Sequence, residues 1–187
     1  MNFMKIFSCS SFKSLFIICL CLFTVFWTVR LTNAYSLTGS AWVLSKVDDL
    51  TYKLSGSSSI NSVWNDAIYN WNQQSIVPNF DAKVTSGHDV EFKEIWDPDT
   101  DNDGYAFWSH DSSRQIYYAY AWINSAYTQK YSSLKARSVA SHEIGHILGL
   151  DHTSVCSLME SKTSDRYDRC GVYTPQADDL RGINNLY

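Results

Sequence analysis

Five histidines occur in the 187-residue chain, and three of them fall in one short string, His142-Glu143-Ile144-Gly145-His146-Ile147-Leu148-Gly149-Leu150-Asp151-His152. On a helix, residues four apart lie on one face a turn apart, so the imidazoles of His142 and His146 converge. Gly149 lets the chain leave the helix in a conformation closed to most residues, which can bring His152 back to the same point. Three neutral imidazoles plus one water make an open tetrahedral zinc site of the catalytic kind. Zinc lowers the pKa of such a water to about 7, and Glu143 beside it can take the proton as water attacks a polarised carbonyl. A bare HExxH recurs by chance. The longer HExxHxxGxxH fixes five positions, which disfavours histidines that merely fill a core or a surface.

A second group of candidate ligands is acidic. Asp97-Pro98-Asp99-Thr100-Asp101-Asn102-Asp103-Gly104 contains DxDxDG, the opening of a calcium-binding EF-hand loop. Counted from Asp99, however, position twelve is His110 where a bidentate glutamate is required, so an EF-hand is excluded. Asp97, Asp99, Asp101 and Asp103 could still gather calcium, and a solvated acidic loop accounts for them equally well.

The elements that must position these residues follow from hydrophobic spacing. Leu50 to Leu54 alternates like a strand and runs into Gly56 and three serines. Ile60, Val63, Trp64, Ala67, Ile68 and Trp71 recur at three- and four-residue intervals, which predicts a helix near 60–74 with an aromatic-rich buried face. Two extended segments are expected between Phe80 and Ile95, around Ser86-Gly87, and further strands at 105–108 and 115–123. Ser132 or Ser133 can cap the helix that carries the histidines, ending at Gly149. Thr174 is expected to cap a last helix with Pro175 at its first position and Leu180, Ile183 and Leu186 on its core face.

The first 34 residues read as a secretory signal. Lys5 and Lys13 give a basic start, an apolar run spans Leu15 to Val29, and Thr32 and Ala34 stand at −3 and −1 of a cleavage site before Tyr35. An uncleaved anchor is the competing reading, but that run falls short of the roughly 20 residues a bilayer requires. Cleavage leaves 153 residues, one domain by size. It also leaves 12 basic against 19 acidic residues, a formal charge of −7 that excludes a phosphate-binding surface and so a nucleic-acid partner. Cys9, Cys19 and Cys21 leave with the signal, and Cys156 and Cys170 remain as an even pair in an oxidising context, which predicts one disulfide.

The eleven-residue string, followed seven residues later by Met159 in Ser157-Leu158-Met159-Glu160, is the metzincin signature. Within that clan the wording HEIGHILGLDH resembles matrixins. Tyr35-Ser36-Leu37-Thr38 with Trp42 looks like a matrixin N-terminus, and Asp178-Asp179-Leu180-Arg181-Gly182-Ile183 looks like its last helix. The resemblance implies an α+β domain over residues 35–187, with a twisted, mostly parallel five-stranded sheet and three helices. It implies a secreted, monomeric zinc endopeptidase with protein or peptide substrates and no membrane contact after signal cleavage. His142, His146 and His152 would be its ligands, Glu143 its general base and Met159 a floor beneath the metal. Substrate would add as a strand to the edge near 105–109. The Tyr35 ammonium would dock near Asp178 while Asp179 supports the methionine turn, although both aspartates would also favour the positive end of their helix.

The departures from that family are specific. No cysteine-switch segment stands between the signal and the domain. The matrixin structural-zinc pattern has no counterpart, His88 and His110 being isolated, and Glu160, Ser161 and Lys162 replace the usual proline and tyrosine of the specificity pocket. A binding or inhibitor protein that retains zinc for shape, or a zinc amidase, would share the motif. An intact Glu143 argues against the former, because a retired enzyme has no need of it.

Overall fold

Alternating apolar residues build strands whose buried faces demand a covering layer, and the two longest apolar helices provide it. The computed structural model describes residues 34–74 and 79–187, so the expected signal at 1–34 lies outside the described residues except for Ala34. In chain order the strands are β1 (Ser36–Leu37), β2 (Ala41–Trp42), β3 (Leu50–Ser55), β4 (Phe80–Lys83), β5 (Val90–Ile95), β6 (Gly104–His110), β7 (Gln115–Asn124) and β8 (Leu150–Asp151). The helices are α1 (Leu44–Val47), α2 (Ser58–Asn72), α3 (Ser125–Thr128), α4 (Ser133–Ile147) and α5 (Ala177–Leu186), with a π-helical turn at Ser164–Arg169.

The strands β4, β3, β5 and β7 pair in that order, all parallel. β6 runs antiparallel along the outside of β7, and the two-residue β2 joins the start of β7. The five strands of four or more residues and the three long helices match the expected α+β architecture. Val90, Phe92, Ala119, Ala121 and Ile123 form a buried sheet face, on which the tryptophan-rich side of α2 and the apolar side of α4 close the core. Trp64 packs on Phe92 with ring centroids 4.7 Å apart and donates its indole N–H to Lys93 O. Each side chain of this size buried there contributes about 1.5–3 kcal/mol. No helix among the described residues is long and apolar enough to cross a membrane.

The last helix departs from expectation. It begins at Ala177, not Pro175, and Gln176 is its cap. The reason is Asp179, whose carboxylate accepts the Gln176 N–H at 2.8 Å to complete a capping box and also accepts the Leu158 and Met159 N–H groups at 2.9 and 3.2 Å. One buried carboxylate thus fixes both the helix start and the loop before it. Beside it, Asp178 accepts the Ala34 N–H at 3.2 Å and pairs with Arg181 at 2.7 Å.

Candidate metal centre and active site

The Ser132 hydroxyl caps α4 by accepting the Lys135 N–H, and the helix stays apolar enough to be buried along most of its length. Its C-terminal carbonyls find donors far away in sequence: Trp42 Nε1 donates to Ile147 O at 3.0 Å and Tyr187 Oη to Leu148 O at 3.1 Å. The chain then turns at Gly149, whose φ of +97° is closed to most side chains and whose Cβ position lies 2.7 Å from Ser40 O. That turn feeds β8, which pairs antiparallel with β1, Ser36 against Asp151 and Leu37 against Leu150. His152 follows at once.

The three Nε2 atoms of His142, His146 and His152 lie 3.0, 3.1 and 3.2 Å from one another. Nitrogens held about 2.0–2.1 Å from one tetrahedral ion are separated by about 3.3–3.4 Å, so this spacing suits a zinc ion. The tautomers suit it as well. His142 Nδ1 stands 2.7 Å from Leu158 O and His146 Nδ1 2.8 Å from Leu150 O, and a carbonyl acceptor requires the proton on Nδ1. The lone pairs at Nε2 are thereby left to face one another, an arrangement that a cation stabilises. Burial lowers all three imidazole pKa values, His142 well below its ordinary range and His146 to about 4, which keeps the rings neutral. Among the described residues these three form the only convergent group of three or more His, Cys, Asp or Glu side chains.

Met159 is buried against α4, and its sulfur occupies the space that a Cβ on Gly145 would need. Gly145 therefore serves close packing between the helix and the methionine turn. Glu143, 5% exposed, lies on the other side, against the start of β6: a Cβ on Gly104 would stand 2.6 Å from its Oε1. Burial pushes its carboxyl up to about 8, with Arg166 pulling it down and Asp103 raising it. A cavity of about 620 Å³ opens here. One side is β6 and the acidic loop, the other is the segment from Ser161 to Arg166, and the histidines and Glu143 form the floor. β6 has β7 as its only strand partner among the described residues, so its cleft-side edge is unpaired.

Peptidase family M10, matrixin, matches residues 42–187. The chain is a matrixin. No individually curated protein matches it. Matrixins are zinc-dependent peptidases, and this matrixin carries the histidine triad that could hold the metal. Its substrates are accordingly proteins or peptides.

The other expected site residues are distributed unevenly. Cys156 and Cys170 are joined by a disulfide, with Cα atoms 5.7 Å apart. The acidic loop does not gather its carboxylates: Asp97 accepts the Asp99 N–H, and Asp103 accepts the Tyr131 hydroxyl at 3.0 Å. Asn124 instead organises that loop, donating to Asp97 O at 2.6 Å and accepting the Asp97 N–H at 3.1 Å. Its only sequence signal was an asparagine at the end of a strand. The residue missed altogether is Arg166, 1% exposed, which donates to Ser138 Oγ, Glu160 O and Thr163 Oγ1 at 3.0, 2.7 and 2.8 Å. Ser138 in turn donates to Val172 O at 2.7 Å.

Proposed function

We propose that this matrixin is a secreted endopeptidase in which His142, His146 and His152 hold zinc and Glu143 is the general base. Zinc, when bound, supplies Lewis acidity and makes water a nucleophile near neutral pH. The unpaired edge of β6 receives the substrate as an added strand, which fixes the scissile bond through main-chain hydrogen bonds. Glu143 takes the proton from the attacking water and passes it to the departing amine nitrogen. Its burial supports that role, since a carboxylate with raised proton affinity is a stronger base, and the charge of a nearby cation favours its ionised form. The Cys156–Cys170 disulfide and the basic-apolar leader at 1–34 support export.

The observation that carries this reading is the placement of the buried Glu143 carboxylate beside three convergent imidazoles, on the floor of a cleft with a free strand edge. It also favours an enzyme over a zinc-stabilised binding protein. Glu143→Ala removes the proton acceptor and leaves every ligand. The expected outcome is one zinc per chain by metal analysis and a melting temperature no lower than that of the wild type, with casein hydrolysis reduced by about 10²–10⁴. Hydrolysis near the wild-type rate would show that Glu143 is not the base, and a wild type that binds zinc but cleaves no protein would remove the peptidase reading.

A further inference from the structure

The segment after Met159 brings polar side chains to one wall of the cleft, facing the aromatic side chains of Tyr105 and Trp108 on β6. Ser161, Lys162, Thr163 and Ser164 line it, and at its base Arg166 reaches inward from the π-helical turn to Ser138 on α4. Arg166 is nearly inaccessible, yet all its hydrogen-bond acceptors are neutral: a serine hydroxyl, a threonine hydroxyl and a main-chain carbonyl. Guanidinium carries two hydrogens on each terminal nitrogen, so each retains one N–H without a protein acceptor among the described residues.

No carboxylate among the described residues pairs with the Arg166 nitrogens within 4.0 Å, although eight other cation–carboxylate contacts are that close. The acidic groups whose charge reaches it are Glu143, Asp103 and Glu160, and each is otherwise engaged. Asp103 accepts from Tyr131, Glu160 faces Arg169 and the Ser161 N–H, and Glu143 is committed to the reaction proposed above. A buried cation without a contacting anion is costly, and the cost falls when a carboxylate supplies two parallel hydrogen bonds.

We propose that Arg166 is a specificity-determining residue that directs cleavage to bonds flanked by an aspartate or glutamate, whose carboxylate enters the polar pocket between α4 and the Ser161–Arg166 segment. The inference rests on the peptidase reading and deepens it. Arginine suits the role through its planar fork, and lysine at this position would offer charge without bidentate geometry.

The test uses zinc-loaded full domain and peptide arrays in which each position around the scissile bond is varied between Glu and Gln. Wild type is expected to prefer Glu at one fixed position by about tenfold or more in kcat/KM, mainly through KM. Arg166→Gln is expected to erase that ratio and Arg166→Lys to retain part of it. Equal cleavage of the Glu and Gln peptides by wild type at every position overturns the inference without any need for a folded variant. Binding of the same peptides to zinc-loaded Glu143→Ala separates this inference from the one beneath it. Acid-selective binding without wild-type hydrolysis removes the peptidase reading alone, and hydrolysis without acid selectivity removes the role of Arg166 alone.

Discussion

The metal centre and the pocket wall behind it face one cleft, yet they are built in opposite ways. The centre comes from one unbroken string, with two ligands a helical turn apart and a third returned by Gly149, and its rings are aimed by the carbonyls of Leu158 and Leu150. The wall comes from pieces 34 residues apart in sequence, Ser138 to Val172, knotted by Arg166 and by a disulfide. Apolar packing holds the first and polar side chains hold the second. A site of the first kind is expected to fail abruptly when one ligand changes, and a wall of the second kind to loosen while the metal stays.

The largest effect belongs to the centre. His146→Ala is expected to lower zinc content well below one per chain and to abolish hydrolysis, with metal analysis and a casein assay as the checks. Acid should do the same reversibly. The pKa of His146 is about 4 in the folded protein against 6.5 for an ordinary histidine, so between these values the unfolded chain binds more protons. In metal-free protein the stabilisation is complete above pH 6.5 and lost as pH falls through 4, and in the loaded protein protons compete with zinc for the same ligands as pH falls. Glu143 acts with the opposite sign in metal-free protein: its raised pKa favours folding below 4.5, an advantage lost as pH rises through 8. Melting curves with and without chelator over pH 4–8 read both.

The intermediate effect belongs to the wall. Replacing Cys156 and Cys170 by serine opens a link across 14 residues, and loop closure of that length contributes about 3 kcal/mol. The expected outcome is a lower melting temperature with zinc stoichiometry unchanged. Loss of zinc in that variant would show that the two regions are not separable.

Legibility in the sequence follows the same division. The centre was readable because a helix converts spacing into direction, and α2 because its apolar residues repeat at helical intervals through Trp71. The parallel neighbours of β3 were not readable, since β4 and β5 carry no local sign of which strand lies between them. The bonds of Asp179 to Leu158 and Met159, across 20 residues and more, were legible only through the resemblance to matrixins, whereas the capping box it completes with Gln176, which moves the start of α5, was not read. Arg166 stood in a polar run that reads as solvated surface, and only the approach of Ser138 reveals that it is buried.

The smallest expected effect tests the join between chain start and centre. If signal cleavage leaves Tyr35 as the first residue, its ammonium lies next to the place where the Ala34 N–H now meets Asp178. Chains starting at Tyr35 should be more stable than chains extended by a few residues, by about 1 kcal/mol or somewhat more if shielded, and Asp178→Asn should erase the difference. Identical melting temperatures and activities in all four proteins would remove the docking idea and leave the zinc centre intact.

The short ladder between β1 and β8 ties the order of synthesis to the metal. Ser36 emerges early from the ribosome, but its partner Asp151 follows only after 115 more residues, and His152 stands next to that partner. The third imidazole is therefore set by an event that needs almost the whole polypeptide. Zinc affinity becomes a report of completed folding: a chain lacking 34–37 would keep His142 aimed by Leu158 O but would loosen His146, whose ring bonds Leu150 O in β8, together with His152, and is expected to hold its ion less tightly.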